Sequence, residues 1–468
     1  MKILLIAAPR PSTNETAFHM GDGRPPMGLA YISAYLEKFG HETKIVDLYH
    51  FGGDHESERQ SQKVTATICH IIDYDKPIDI FKEIEEYSPD FIGMYIGTVS
   101  WYRGTSLIKE IKRRYPNIST MAGGPHANEL PETLVDCFDY VVSGEGEMAS
   151  LDIVEGRVTK KGVIRRPNID DINKLPFPDF RHFIDKPYNW ELEMFDNNIK
   201  PVLTLNSTRG CPFSCMFCGV ANTKFRGISA SNLIGHISTL VDTHGAQGIY
   251  FREDNFTVQP NRVEEFCDIL ISENMNISWS CETRVNNLSS RLIEKMARSG
   301  CVGLYIGVES GSERMLSYIR KGEKRKDFIE KFPIIHANGI TTYTTWIYGM
   351  PSETEEDRKL NDEFIEKLNP TTADTFVYLG IPGSDFYKIL DHSQLYEFKE
   401  ESGVLYPPGH LTMARSVYGS SDPRVEYIES LYEKHGVKAG KAEPYYIPKQ
   451  VYNKLKTTKI RKQLSERA

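Results

Sequence analysis

Three closely spaced cysteines after an apolar segment constrain this chain more than any other feature of its sequence. Cys211, Cys215 and Cys218 have the spacing C-x3-C-x2-C and directly follow the apolar run 201–205, which predicts a strand. A glycine and a proline flank the first cysteine, and both residue types permit the tight loop that this spacing needs. Thiolates bind the irons of iron–sulfur clusters, and three thiolates leave one iron of a four-iron cluster open to a small molecule.

A zinc site is the competing interpretation of the same motif. Structural zinc takes four ligands, commonly from two paired C-x2-C halves, and the sequence contains no second half. The remaining cysteines are isolated along the chain: Cys69, Cys137, Cys267, Cys281 and Cys301. The spacing therefore favours an iron–sulfur cluster over zinc or a chance grouping, and it argues against a second cysteine-ligated cluster.

With an aromatic residue, Phe217, just before the last cysteine, the motif resembles the signature of the radical S-adenosylmethionine (SAM) superfamily. The resemblance implies a 4Fe–4S cluster with Cys211, Cys215 and Cys218 as metal ligands, SAM chelating the open iron, and backbone near Phe217 meeting the adenine. It further implies reductive cleavage of SAM to a 5′-deoxyadenosyl radical, which abstracts hydrogen from an unactivated carbon. An electron donor such as flavodoxin or ferredoxin would supply the electron.

The bulk composition sets limits on partners and location. The chain has 468 residues, 40% of them apolar and 26% charged, which predicts an ordinary globular protein of two or three domains. Its formal net charge of −8 argues against a general nucleic-acid binder. No apolar run approaches the ~20 residues of a membrane helix. The absence of a disulfide framework favours a reducing compartment, so we expect a cytoplasmic protein.

Residues 1–150 alternate apolar strand segments with helical ones, which predicts an α/β domain with a doubly wound parallel sheet. This half resembles the cobalamin-binding, Rossmann-like domain that is fused to many radical SAM enzymes. The resemblance is carried, in this order, by the segments 24–31, 122–127 and 143–147. Within the second of them, Gly123 and Gly124 allow backbone to approach a bulky ligand tail.

Two features of this half depart from the cobalamin-binding pattern. No D-x-H-x-x-G follows the first strand, so no histidine lower ligand to cobalt is supplied in that way. Tyr95 stands where such domains commonly have a small serine that lines the slot for the nucleotide tail. Thr98 and Trp101 follow it and are expected to lie over a bound corrin or to roof an empty site. The sequence therefore leaves open whether cobalamin is a cofactor beside the cluster and SAM.

Residues 201–380 repeat a β/α unit six times, which matches the partial (β/α)6 barrel of the superfamily. Proline-punctuated residues 151–200 read as a linker, and residues 381–468 as a mostly helical C-terminal cap. Active sites of β/α barrels lie at the carboxyl ends of the strands, and the cysteine loop also follows a strand. Polar residues at the other strand ends are therefore candidates for holding SAM.

Glu253 and Asp254 follow the second barrel strand, where the family holds the SAM ammonium group; the competing interpretation of the pair is a helix N-cap. Arg284 follows the third strand and resembles the arginine near the SAM carboxylate, although a salt-bridged surface arginine would look the same. Cys281 lies near that strand end and is a candidate catalytic hydrogen donor to a product radical. A buried structural cysteine is its alternative.

The fourth and fifth strands supply the remaining candidates. Glu309 and Ser310 resemble the polar pair that meets the ribose and methionine parts of SAM. Gly349 follows the fifth strand, where the family lays backbone along the adenine. Glycines around these positions suit close approach of backbone to a ligand.

The favoured interpretation is an enzyme that uses its radical for cobalamin-dependent C-methylation of a small molecule, a secondary metabolite or a lipid. The alternative keeps the radical step with an empty cobalamin-type domain, so that the substrate radical rearranges, cyclises or eliminates. A non-catalytic iron–sulfur sensor is a third interpretation, which the SAM-side residues at several strand ends disfavour. No motif selects the substrate.

Overall fold

The computed structural model describes residues 1–9, 23–52, 78–97, 100–191, 198–378, 382–386, 397–399 and 404–406. The chain divides into two compact units. The first draws on residues 1–169, 175–189 and 391–468, and the second on residues 170–174 and 190–390. Within the described ranges, no helix combines the length and the apolar character needed to cross a membrane.

The first unit contains a six-stranded parallel sheet in the order β2-β1-β3-β4-β5-β6. Its strands are β1 (Lys2–Ala7), β2 (Glu42–Asp47), β3 (Phe91–Tyr95), β4 (Ser119–Gly123), β5 (Tyr140–Val142) and β6 (Gly162–Ile164). Its described helices span Met27–Lys38, Leu48–Phe51, Ile80–Tyr87, Trp101–Arg114, Pro125–Glu129 and Gly146–Val154, with a 3-10 turn at Pro131–Thr133. The doubly wound parallel sheet expected from the sequence is confirmed, because β1 lies between β2 and β3 and the chain thus reverses direction across the sheet.

Burial explains why the sequences of these segments clearly predict strands. All residues of β1 after Lys2 are buried, and Ile3, Leu4 and Ile6 are fully inaccessible. Strands covered on both faces carry continuous apolar runs rather than alternation. The short strand β6 comes from the segment that reads as linker, since its three residues are too few for a periodic signal.

The second unit contains six parallel strands in chain order, β7-β10-β11-β12-β13-β14. They are β7 (Val202–Leu205), β10 (Gly248–Phe251), β11 (Ser278–Thr283), β12 (Cys301–Glu309), β13 (Thr341–Tyr348) and β14 (Thr372–Val377), while β8 (Thr208–Arg209) and β9 (Arg226–Gly227) form a separate antiparallel pair. The helices are Ala230–His244, Pro260–Ser272, Ser290–Arg298, Glu313–Tyr318, Arg325–Ala337 and Glu355–Leu368, with 3-10 turns at Ile172–Lys174 and Val285–Asn287. A strand order that follows the chain is the arrangement of the expected partial (β/α)6 barrel.

The two faces of this sheet differ in character. Phe251 and Trp279 pack against Phe266 of the helix Pro260–Ser272, with ring centroids 5.6 and 5.5 Å apart. Tyr250 and Tyr305 lie on the opposite face, with centroids 5.0 Å apart. Because side chains alternate along a strand, the register divides each strand between a helix-facing apolar side and an inner polar side.

Most of the C-terminal cap expected over residues 381–468 lies outside the described residues. The exceptions are residues 382–386 and an antiparallel pair of three-residue strands, β15 (Glu397–Lys399) and β16 (Val404–Tyr406).

Candidate functional site

The cysteine loop begins directly after β7 and is closed at its base by the pairing of β8 with β9. Gly210 has a φ of +81°, and a Cβ on it would stand 2.5 Å from the carbonyl oxygen of Lys224, so glycine is required there. The backbone N–H of Cys211 donates to Thr223 Oγ1 at 2.9 Å, and the N–H of Thr223 donates to the Cys211 carbonyl at 2.9 Å. These bonds fix the backbone on both sides of the loop.

The three cysteines are free thiols held close together in this loop. Cys211 and Cys215 are buried and Cys218 is half-buried. Burial raises the pKa of Cys211, and it raises the pKa of Cys218 to about 11; neighbouring cysteines and the Asp254 carboxylate act in the same direction. A metal that binds these thiols must displace their protons, because the thiolate is the ligand. A set of three sulfur donors fits an iron–sulfur cluster with one iron left open.

Arg284 lies against the same cysteines. Its Nη1 donates to Cys215 Sγ at 3.2 Å, and its guanidinium carbon stands 4.1 Å from the centre of the Phe213 ring. It also pairs with Glu323 at 3.5 Å and donates to the Lys321 carbonyl. The residue is 6% exposed, so it is buried in the site rather than a surface arginine. Its Nε is buried without a hydrogen-bond partner among the described residues, which leaves one donor for an incoming ligand.

The carboxylates of the two acidic residues after β10 lie in different surroundings. Glu253 is buried and accepts hydrogen bonds from Ser207, from its N–H at 3.0 Å and its hydroxyl at 2.8 Å, and from the hydroxyl of Thr208. Burial raises the pKa of Glu253, and the nearby Arg262 opposes the rise. Asp254 is exposed, accepts from the N–H of Gly210 and stands near the cysteines. Neither is the N-cap of the next helix, which is Gln259.

Glu309 ends β12 in a left-handed backbone conformation, with φ +68°. Its Oε1 lies 3.5 Å from Lys321 Nζ and its Oε2 3.5 Å from Thr345 Oγ1. A Cβ on Gly307 would stand 2.3 Å from Glu309 Oε1, so this glycine makes room for the carboxylate. Burial raises the pKa of Glu309, and Lys321 opposes the rise.

Ser310, Gly349 and Phe217 contribute in different ways. The Ser310 hydroxyl is fully buried, donates to Asn361 Oδ1 at 2.8 Å and accepts from the N–H of Ser312 at 3.1 Å, so its described partners belong to the fold itself. Gly349 has a φ of +77°, and its N–H donates to Glu353 Oε2 at 2.5 Å. Phe217 is half-buried within the cysteine loop. That the backbone at Gly349 and near Phe217 meets the adenine of SAM stays a prediction.

The structure places Cys281 on the helix-facing side of β11. It pairs in register with Phe251, and Cys267 of the helix Pro260–Ser272 and Cys301 influence its titration. The thiol is fully buried, and burial raises its pKa well above the usual range. This location favours the structural alternative over hydrogen donation, because the polar inner face carries the neighbouring residue Glu282 instead.

Three charged residues at the site are not among the candidates predicted from the sequence. Lys321 and Glu323 lie between two helices and are almost fully buried, although a short charged segment normally indicates a solvated loop. Glu282 accepts a hydrogen bond from the Tyr250 hydroxyl at 2.7 Å on the inner face, and burial raises its pKa to about 7. The only sequence signal for Glu282 is its position one residue after Cys281 near a strand end.

In the first unit, β3 and β4 end side by side, with Tyr95 paired in register with Gly123. A Cβ on Gly123 would meet nothing within 4 Å, so the backbone is open there. Gly124 has a φ of +101°, and a Cβ on it would stand 2.9 Å from the Ile96 carbonyl and from Tyr95 Cδ2. The half-buried Tyr95 ring thus lies directly beside the glycine turn at the carboxyl edge of the sheet.

Trp101 begins the helix that follows and is 4% exposed. Its ring lies 5.7 Å from that of His126, whose Nε2 is 2.9 Å from Thr133 Oγ1. Burial lowers the pKa of His126 to about 3, so this imidazole is neutral. Trp101 therefore packs inside the unit, while Thr98 lies outside the described residues.

The first prediction concerns iron. Replacing Cys211, Cys215 and Cys218 together by alanine removes all three sulfur donors, so anaerobically reconstituted protein should lose its iron. Iron and sulfide analysis with the absorption spectrum measures this. Cys301→Ala, a buried cysteine outside the loop, should keep the wild-type iron content. Wild-type iron in the triple variant would contradict the assignment.

The second prediction separates the two adjacent acids. Asp254→Asn removes an exposed charge beside the cysteines, so it should keep the fold and the cluster while weakening SAM binding at least tenfold. Glu253→Gln should instead lower thermal stability, because the buried carboxylate that holds Ser207 and Thr208 loses its acceptor capacity, typically ~1–3 kcal/mol. Equilibrium dialysis with SAM and thermal melting measure the two effects. Unchanged SAM affinity in Asp254→Asn would overturn its role.

Both units of the chain are similar to known proteins. The Radical SAM superfamily model matches residues 205–365, and the B12 binding domain model matches residues 20–154. An uncharacterized methyltransferase of Pyrococcus horikoshii is 27% identical over 446 residues, which cover 90% of this chain and 87% of the relative. An anaerobic magnesium-protoporphyrin IX monomethyl ester cyclase of Rubrivivax gelatinosus is 22% identical over 435 residues, 86% of this chain and 73% of the relative.

Among solved structures, the fold resembles the radical S-adenosylmethionine methyltransferase TsrM from Kitasatospora setae with cobalamin and a [4Fe-4S] cluster bound. The TM-score is 0.61 at 16% identity, covering 82% of this chain and 76% of that one. The likeness shows a shared fold across both units. The two family matches, together with the cysteine loop, identify this chain as a radical SAM superfamily enzyme with a 4Fe–4S cluster, SAM and an N-terminal B12-binding domain.

Proposed function

We propose that this enzyme abstracts hydrogen from an unactivated carbon of a small molecule and methylates that carbon with the help of cobalamin. The observation that carries the proposal is the match of both family models to one chain, each over a region with its own parallel sheet. The Pyrococcus horikoshii methyltransferase supports it, because the similarity spans nearly the whole length of both chains.

Different residues of the second unit would hold the cluster and SAM. The three cysteines would hold the cluster, which supplies one electron to SAM when it is reduced. Asp254, an exposed carboxylate beside the cysteine loop, would bind the SAM ammonium. The Nε of Arg284, which has no hydrogen-bond partner in the part of the chain that the structure describes, offers a donor to the SAM carboxylate. Glu309, fixed by Lys321, would accept hydrogen bonds from the rest of SAM.

The residues of the first unit fit cobalamin in part. Cobalamin would supply a carrier for the methyl group, and the open backbone at Gly123 and the turn at Gly124 suit a bulky tail. The Tyr95 ring stands beside this turn, where related domains commonly have serine. The missing D-x-H-x-x-G means that no histidine lower ligand is provided by that motif. We therefore propose weak binding that requires the ring to move.

The proposed substrate is a secondary metabolite or a lipid, and the proposed electron donor is a flavodoxin or a ferredoxin. We place the enzyme in the cytoplasm, since an oxygen-sensitive cluster and unpaired cysteines suit a reducing compartment. None of these three proposals alters the roles of the residues at the cluster.

A second candidate function is radical cyclisation without methyl transfer. The Rubrivivax gelatinosus cyclase favours it, because that protein matches 86% of this chain. In this alternative the first unit would be structural, with Tyr95 filling the space beside Gly124.

The third prediction distinguishes the two functions. Reduced, reconstituted enzyme is incubated with SAM and hydroxocobalamin, and the products are separated by chromatography. A methyltransferase should form both 5′-deoxyadenosine, from reductive cleavage, and S-adenosylhomocysteine, from loading a methyl group onto the carrier. Formation of 5′-deoxyadenosine alone would favour the cyclase. The triple-alanine variant of the cysteines should form no 5′-deoxyadenosine, and absence of both products in the loaded wild type would contradict both functions.

The fourth prediction concerns Tyr95. If the tail of cobalamin enters beside Gly124, the ring overpacks its slot, which typically costs ~1–3 kcal/mol. Tyr95→Ser should therefore bind hydroxocobalamin roughly tenfold more tightly than the wild type, measured by absorption titration. Tyr35→Ser, an aromatic residue elsewhere in the same unit, should leave the affinity unchanged. Tight stoichiometric binding by the wild type that the Tyr95 substitution leaves unchanged or weakens would show that the ring does not obstruct the slot.

A further inference from the structure

A row of four buried charges runs from a cysteine of the loop to the end of β12. Arg284 Nη1 lies 3.2 Å from Cys215 Sγ, and its Nη2 lies 3.5 Å from Glu323 Oε2. Lys321 Nζ is 3.5 Å from the same Glu323 oxygen and 3.5 Å from Glu309 Oε1. The charges alternate in sign, and the exposed fraction of each side chain is at most 10%.

Stability of the fold is a poor explanation for this row. Burying charged groups costs several kcal/mol for each ion, and well-packed apolar residues often replace such groups without loss. The row also lies on one side of the cysteine loop, and its first member donates to a cysteine sulfur. This arrangement indicates that the row acts on the cluster that the cysteines would hold.

Binding of the SAM carboxylate does not account for all contacts of Arg284. Its Nη1 is directed at Cys215 Sγ, and its Nη2 at the Lys321 carbonyl and Glu323. The Phe213 ring covers one face of the guanidinium, with the carbon 4.1 Å from the ring centre. Only Nε has no hydrogen-bond partner among the described residues. Most of the group is therefore fixed against the cysteine before any ligand arrives.

Electrostatics gives the consequence of this placement. Reduction adds one negative charge to an iron–sulfur cluster, and its potential depends on hydrogen bonds to the sulfurs, nearby charge and solvent exposure. A buried positive charge that donates to a ligand sulfur stabilises the reduced state, and a buried negative charge behind it opposes that effect. Because the surroundings exclude water, both influences are screened less than at the surface.

We propose that Arg284 and Glu323 set the reduction potential of the cluster from opposite directions, Arg284 raising it through Cys215 and Glu323 lowering it. In this role both are positioning residues: Arg284 acts through the cluster ligand Cys215, and Glu323 acts through Arg284. The inference rests on the proposed cluster site and adds a function for Arg284 besides its Nε contact with SAM.

The test measures the midpoint potential of the reconstituted cluster in the full chain without SAM, by titration with redox mediators followed by electron paramagnetic resonance. At the midpoint potential of the wild type, the ratio of reduced to oxidised cluster in Arg284→Gln should be at least tenfold lower than in the wild type. Glu323→Gln should have a ratio at least tenfold higher. For a one-electron couple, each change corresponds to a shift of about 59 mV, negative for the first variant and positive for the second.

Opposite shifts distinguish this role from a structural one, because damage to the site would move both variants the same way. Arg314→Gln removes a guanidinium that pairs with Asp357 elsewhere in the unit, and it should keep the wild-type potential. If Arg284→Gln does not hold iron, Arg284→Lys replaces it and should shift the potential negatively by less, since it keeps the charge without the planar fork.

Potentials of the loaded Arg284 and Glu323 variants that equal the wild type, or that shift in one common direction, would overturn the inference. A wild type that holds no cluster under the same conditions would instead contradict the proposed function. The iron content of every sample, measured beside the titration, separates these two failures.

Discussion

The candidate site depends on the hydrogen bonds of one buried carboxylate. Glu253 follows β10, and it binds Ser207 and Thr208 at the point where the chain leaves β7 for the cysteine loop. Arg262 supports the same contact, because its Nη2 donates to the Ser207 hydroxyl at 2.6 Å. A buried acceptor with several donors fixes the start of the loop, in addition to the constraints from Gly210 and Thr223 within the loop. The position of the cysteines relative to the sheet follows from this contact.

Both units use the same property of parallel sheets. Their strands end at one edge, where the chain leaves the sheet and side chains are free to serve ligands. In the second unit this edge carries the cysteine loop, Asp254 and Glu309. In the first unit it carries Gly123 and Gly124, with the ring of Tyr95 beside them. The Tyr95 ring occupies space at this edge that a serine would leave open, because it lies directly beside Gly124.

Charge is unevenly distributed between the surface and the interior of the second unit. The ion pair of Lys224 with Asp170 is exposed and contributes little to stability. The row from Arg284 to Glu309 is buried, so each member depends on its partners to remain charged. The row thus places buried charge of both signs beside the cysteines, with Arg284 in direct contact with Cys215.

The sequence by itself determined the features that arise from neighbouring residues. The cysteine spacing, the glycine before it and the apolar runs of β1 and β7 depend on local geometry and on burial, so they could be read directly. The parallel order of the strands followed from their alternation with helices.

The tertiary structure alone decided which way each of two adjacent residues faces. Glu253 turns to the base of the loop while Asp254 faces the cysteines, and Cys281 faces the helices while Glu282 faces the inner side. Neighbours at a strand end project in opposite directions, and a one-residue difference in register exchanges them. The pairing of Arg284 with Glu323 joins residues 39 positions apart in the sequence, and only the folded chain brings such charges together and buries them.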